Sequence, residues 1–330
     1  MWAALFPGQG SQTIGMGRFL YENFPIAKQA FEEASDTLSL NFKKLCFEGP
    51  ETDLMLTENT QPALLLVSTA TYRVTNATLN LKISAGAGHS VGEYAAMVTS
   101  GAMKFPDALR AVRVRGQAMQ KAVPVGQGGM VAVLGMTDAQ VETLCRWSQE
   151  KSGLKPIEPA NFNAPGQVVI SGSQELIDWM KTNAKAAEIF ADRAGDPSQI
   201  PRLKMIPLAV SAPFHCSLMK PAEETMRKVL GETAFTDAHW PIVQNVTGQE
   251  TTSASVLREG LVKQVSGAVR WTQCMARLKA LGSTQMIEFG SGRVLSGLAK
   301  KIDSNAPTPF NINTLEDFKT LENALSAVSI

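Results

Sequence analysis

Cysteine is scarce in this chain. Cys46, Cys145, Cys216 and Cys274 are the four in 330 residues, widely spaced and without a CxxC pair. That excludes a disulfide scaffold and argues against a cysteine-rich zinc site. Histidine is scarcer still, at three residues, so chemistry that needs an imidazole has few candidates. No apolar stretch approaches the ~20 residues of a membrane-spanning helix; runs such as Ala63 to Val67 are far shorter. Excess charge is missing too, since 31 Lys plus Arg face 30 Asp plus Glu and no basic block stands out. Neither a nucleic acid nor a membrane surface is therefore an expected partner. The opening residues lack a basic stretch followed by a long apolar one. They read as a strand and not as a signal peptide, and the expected location is cytoplasmic.

What is present suits a buried core: 44% hydrophobic and 18% charged residues, over a length fitting about two domains. Strand-like and helix-like segments alternate, which predicts an α/β layered fold. Residues 2–6 read as a strand followed by a tight loop, Pro7-Gly8-Gln9-Gly10-Ser11-Gln12. Residues 61–73 read as a buried helix. Residues 81–88, mostly Ser, Ala and Gly, suit a crowded strand or a loop equally well. Apolar residues recur at helical spacing after Ser90 and again over 106–123. Pro124 and the glycines at 126, 128 and 129 mark a junction. Beyond it come strand material at 130–134, a helix at 137–150, strands at 157–163 and 167–171, a helix at 174–187 and a strand at 205–210. Two β-α-β units of this size predict a ferredoxin-like insert spanning 127–206, with 196–202 as a loop. The remainder, 1–126 and 207–330, makes the large domain.

Gly88-His89-Ser90-Val91-Gly92 fits G-x-S-x-G where weak strand material gives way to a helix. A serine on so sharp a turn needs small neighbours, and it gains backbone N–H donors for a developing oxyanion. From these five residues alone, an ordinary glycine-rich turn is an equal reading. A serine nucleophile needs a base, usually histidine. His89 adjoins the serine and points elsewhere on an extended backbone. His239 sits in a loop entering a strand, where a structural role suffices. His215, placed where a strand ends in a proline turn, is the better base. With an ordinary imidazole pKa near 6.5, such a base predicts activity that falls as pH drops through about that value.

Taken together, the motifs resemble the malonyl-CoA:acyl-carrier-protein transacylase family. They are Phe6-Pro7-Gly8-Gln9-Gly10-Ser11-Gln12, Thr60-Gln61-Pro62-Ala63, Gly88 through Tyr94, Arg115-Gly116 with Met119-Gln120, Asn161 through Gln167, Pro213-Phe214-His215, Gln264 with Val269-Arg270-Trp271, and Glu288 through Gly292. They follow the family's order over nearly the whole chain. The resemblance implies an α/β-hydrolase-like large domain with the ferredoxin-like small domain inserted. It implies Ser90 as the acyl-accepting nucleophile and His215 as general base, with Gln264 orienting His215 through its main-chain carbonyl. The N–H groups of Gln9 and Val91 would form the oxyanion hole. Arg115 would hold the malonyl carboxylate, Gln61 would line the pocket, Asn163 would lie near the pantetheine arm, and Phe214 would be a wall favouring malonyl over branched groups. Periodicity does not separate Arg115 from Arg113, Gln264 alone reads as a helix-surface residue, and Asn163 as a turn residue.

The implied partners are a coenzyme A thioester and acyl carrier protein, the expected state is a monomer, and no cofactor or metal is expected. A polyketide acyltransferase acting in trans and an editing acyl hydrolase are the alternatives on the same fold. Residues 191–203 read as an addition relative to shorter family members, and a tolerated surface insertion is the simpler account of them.

Overall fold

The chain starts in the middle of its larger sheet. β1 (Trp2–Phe6) is buried from Ala3 to Phe6, so both faces are covered and no polar alternation is seen. The computed structural model describes residues 1–191 and 200–328. Residues 192–199, most of the 191–203 addition and part of the 196–202 loop, lie outside them.

Two parallel neighbours flank β1, namely β2 (Ile83–Gly88) and β9 (Gln285–Glu288). β10 (Phe310–Asn311) pairs with β9, β7 (Ile242–Val243) with β2, and β8 (Glu250–Thr251) closes the far edge antiparallel to β7. The small residues of β2, readable as strand or loop, form a strand because larger ones would not fit. A Cβ on Gly86 would stand 2.6 Å from the Trp240 ring, and one on Gly88 only 2.0 Å from the Gly92 carbonyl carbon.

A second sheet has the order β4-β5-β3-β6 and is antiparallel throughout. Its strands are β3 (Gly128–Leu134), β4 (Ile157–Ala164), β5 (Gln167–Ser173) and β6 (Lys204–Pro207). Helices Asp138–Ser152 and Gln174–Asn183 supply its core, with Leu144, Leu176 and Met180 meeting Val131, Val133 and Ile170. Two expectations need correction here. The helix expected over 174–187 breaks after Asn183, whose side-chain amide takes the Trp179 carbonyl at 2.8 Å in competition with the backbone, and a short helix Ala186–Ile189 follows. The last strand ends at Pro207 and not at 210: Leu208 N–H still donates to the Met130 carbonyl at 3.0 Å, and Val210 N–H then turns back to the Leu208 carbonyl at 3.0 Å.

Helix Thr57–Leu79 is longer than periodicity suggested and buried on most sides; it packs on Phe105–Lys121. β4 is tied to the segment between helices Ala254–Gln264 and Trp271–Ala280, where Phe162 N–H donates to the Val269 carbonyl at 2.9 Å and Val269 N–H to the Ala160 carbonyl at 2.8 Å. Among the described residues no helix is long and apolar enough to cross a membrane.

Candidate active site

β1 and β2 run side by side in the register Phe6↔Gly88, so the turns that follow them are neighbours. The first turn carries Gln9 and the second Ser90. Their approach is so close that a Cβ on Gly92 would lie 2.1 Å from the Phe6 carbonyl oxygen and one on Gly8 2.4 Å from that of His89. Glycine is required at 92 for this reason, which accounts for the second glycine of G-x-S-x-G. Ser90 itself has φ of 52°, a left-handed conformation that a serine adopts only when its surroundings hold it there. Asn245, just after β7, does so: its Oδ1 accepts from Ser90 N–H at 2.7 Å and its Nδ2 donates to the Gly88 carbonyl at 2.7 Å.

Ser90 Oγ lies 2.7 Å from His215 Nε2. The other ring nitrogen, Nδ1, is 2.9 Å from the Gln264 carbonyl and 3.2 Å from that of Gly267. Carbonyls only accept, so Nδ1 carries the proton and Nε2 presents a lone pair to the serine hydroxyl. Burial, and next the positive charge of Arg115, push the His215 pKa down to about 3, against the two carbonyls that favour the cation. The imidazole is therefore a neutral base at ordinary pH, and the expected midpoint near 6.5 is corrected downward. His215 belongs to an irregular loop well past the end of β6 rather than to a strand terminus, with φ of 60°. Neither other histidine competes. His89 Nε2 pairs with Asn163 Oδ1 at 2.8 Å, and His239 is exposed against Gly101.

The structure separates the two arginines that periodicity could not. Arg113 is partly exposed and holds the Glu58 carbonyl, the Asn59 side chain and, at 3.5 Å, the Glu58 carboxylate. Arg115 is 1% exposed and turned inward. It donates to Gln61 Oε1 at 2.8 Å, Gln264 Oε1 at 2.8 Å and Ser90 Oγ at 3.2 Å. These are neutral acceptors, so a guanidinium sits beside Ser90 with room in its chemistry for an incoming anion.

Gln264, expected on a helix surface by pattern alone, is wholly buried at the end of helix Ala254–Gln264. Asn163 stands at a register irregularity of β4, which turns its side chain to His89. Phe214 is buried in the main core beside the base. Val91 caps the helix that follows the serine. Two residues were given no role from sequence. Glu93 had a misleading signal, because Ser90-x-x-Glu93 is a capping-box pattern; in the structure Asn245 takes the Ser90 N–H and Glu93 turns to Gln264 and Asn245. Asn245 had none, lying 155 residues from its partner. Among the described residues no three His, Cys, Asp or Glu side chains gather to hold a metal ion.

A serine activated by a neutral histidine, at the N-terminus of a helix and beside a buried arginine, is equipment for passing an acyl group through an ester. The chain belongs to the acyl transferase domain family, which matches residues 4–291. Among curated relatives, it is 41% identical to a malonyl CoA-acyl carrier protein transacylase of Bacillus subtilis, over 99% of this chain and 96% of the relative. It is 40% identical to the protein of that name in Escherichia coli K12, over 91% and 92%. Among solved structures, the malonyl CoA-acyl carrier protein transacylase of Coxiella burnetii superposes with a TM-score of 0.89 at 34% identity, covering 98% of this chain and 97% of that one. A malonyl-transacylase solved in complex with its type II PKS acyl-carrier protein gives 0.88 at 37% identity, over 98% and 99%.

Proposed function

We propose that this chain moves the malonyl group from malonyl-CoA to the phosphopantetheine thiol of acyl carrier protein by way of a malonyl ester on Ser90. The observation that carries the reading is Arg115, dry and within 3.2 Å of the serine oxygen. There it pairs with the free carboxylate of the acyl group, while Gln61 and Phe214 line the pocket. His215 Nε2 takes the Ser90 proton as Oγ attacks the thioester carbon. The carbonyl oxygen becomes an oxyanion, which the N–H groups of Gln9 and Val91 stabilise. Collapse breaks the carbon–sulfur bond, and the departing thiol collects the proton from His215. In the second half the carrier's thiol gives its proton to His215 and attacks the ester; the ester carbon–oxygen bond breaks and the Ser90 oxygen takes the proton back from His215. Asn163 lies on the side from which the pantetheine arm enters. The exchange is redox-neutral and balances with the two thioesters alone.

On this reading the six-stranded sheet belongs to an α/β-hydrolase-like domain of residues 1–126 and 207–330, and the four-stranded sheet to a ferredoxin-like insert at 127–206. The βαββαβ order of the insert and its strand sequence support that division. The likeness to a malonyl-transacylase bound to a type II PKS acyl-carrier protein keeps a polyketide carrier as the second reading. The test is transfer from malonyl-CoA to holo carrier proteins of both kinds. Label appearing on a carrier supports the proposal and tells the two readings apart; label released to water as free malonate contradicts both.

A further inference from the structure

Glu93 is wholly buried in the first turn of helix Gly92–Thr99, and no step written above uses it. Its Oε2 accepts from Gln264 Nε2 at 2.7 Å and from Asn245 N–H at 3.2 Å. The opposite end of the same Gln264 amide, Oε1, accepts from Arg115 Nη2 at 2.8 Å. The amide therefore lies between a carboxylate and a guanidinium, nitrogen toward the negative end and oxygen toward the positive end. Flipping it would set oxygen against oxygen at Glu93 and at the Ser90 carbonyl, which Nε2 now meets at 2.9 Å.

We propose that Glu93 is the buried counter-ion of Arg115, coupled to it through the Gln264 side chain, and that it thereby tunes how strongly the pocket prefers a carboxylated acyl group to a neutral one. The proposal rests on the reading of Arg115 as a carboxylate clamp. A dry guanidinium with no opposite charge nearby is costly, and Arg115 donates only to neutral side chains. Among the described residues the other titratable groups facing the pair supply no negative charge: His215 is held neutral, and burial pushes the Tyr94 hydroxyl and the Cys274 thiol further toward their protonated forms. Among those residues Glu93 alone balances Arg115. Because it acts at one amide's remove, it leaves the guanidinium free to face substrate. Its charge also repels an arriving carboxylate, so it moderates the clamp.

The consequence is counter-intuitive. E93Q keeps an acceptor for Gln264 and Asn245 and deletes the charge, so malonyl should bind better relative to acetyl. Glu93 and a carboxylate paired with the far side of Arg115 would be like charges about 10–12 Å apart, which through an effective dielectric near 20 interact strongly enough for about a tenfold change in that ratio. Burial pushes the Glu93 carboxyl up to about 7, against the pull of its amide donors and of Arg115, so the test is run at pH 8 with the carboxylate charged.

Wild type, E93Q, R115M and E93Q/R115M are compared in thermal unfolding and in acylation by malonyl-CoA and by acetyl-CoA. Expected is a lower Tm for E93Q, recovery when R115M is added, and a malonyl-to-acetyl ratio of kcat/KM that rises in E93Q through the malonyl KM. If E93Q does not fold alone, folding of the double variant is the supporting result, and its failure to fold overturns the proposal. Additive Tm shifts, or a ratio that stays level or falls in E93Q, overturn it as well, since a merely structural Glu93 would impair both substrates alike. Failure of the clamp reading shows separately as a wild-type malonyl preference in R115M; the thermal cycle then decides the counter-ion alone.

Discussion

Asn245 grips the Ser90 turn by both of its amide atoms, accepting from Ser90 N–H and donating to the Gly88 carbonyl, each at 2.7 Å. The side chain thus bridges the residues on either side of His89 and, together with the turn's own bond from Gly92 N–H to the His89 carbonyl at 2.9 Å, keeps the serine in its left-handed conformation.

Asn245→Ala should release that conformation and leave two buried backbone groups unpaired. At about 1–3 kcal/mol for each unsatisfied group, stability should fall by about 2–6 kcal/mol and acylation of Ser90 with it. Chemical denaturation and a single-turnover acylation measurement check both. A wild-type acylation rate would show that the turn holds itself.

Gly92→Ala sets a methyl carbon 2.1 Å from the Phe6 carbonyl oxygen, where backbone and not a flexible side chain must yield. Overpacking of this kind costs about 1–3 kcal/mol or more, and here it pushes the Gln9 turn away from Ser90. We expect a lower Tm together with slowed acylation. Gly231→Ala is the comparison, since a Cβ there meets nothing within 4 Å.

The pH dependence follows from His215. Its folded pKa lies below that of the unfolded chain, near 6.5. The stability it contributes is fully present above 6.5 and is lost as pH falls toward 3, because the unfolded state binds the proton first. In that window the slope is about 1.4 kcal/mol per pH unit. His215→Gln should flatten the decline by about that amount between pH 6 and pH 4. Acylation should not fall between pH 8 and pH 5; a loss with its midpoint at 6–7 would mean that burial does not hold the His215 imidazole neutral in that range.

Arg115→Met should cost malonyl transfer about 3–5 kcal/mol, roughly 10² to 5 × 10³ in rate, the range for breaking one side of a buried ion pair. Acetyl transfer should suffer far less. Arg113→Met, two residues away and partly exposed, should keep the malonyl preference. Equal losses of malonyl transfer in the two variants would dissolve the clamp.

Much of this site could be read along the chain because its chemistry sits in short motifs. The serine turn needs glycine on both sides for steric reasons that leave a pattern, and with three histidines the base could be found by elimination. What stayed hidden is long-range. Arg113 and Arg115 border the same apolar stripe, and only packing against Gln61 and Gln264 decides which turns inward. Gln264 reads as surface by pattern because nothing local reports that Arg115 and Glu93 close over it. Asn245 meets its partner through the pairing of β2 with β7, and the Ser90-x-x-Glu93 spacing pointed to a cap that Asn245 had displaced. In the fold, element order was legible, whereas ends were set by local hydrogen bonds such as those of the Asn183 side chain and the Leu208–Val210 turn.

The central claim, a covalent malonyl group on Ser90, is tested most directly by intact-protein mass after mixing with malonyl-CoA in the absence of a carrier. The account predicts a chain heavier by one malonyl group, mapping to Ser90, absent in Ser90→Ala and discharged when holo acyl carrier protein is added. An adduct that survives in Ser90→Ala, or that maps to one of the four cysteines, would contradict it.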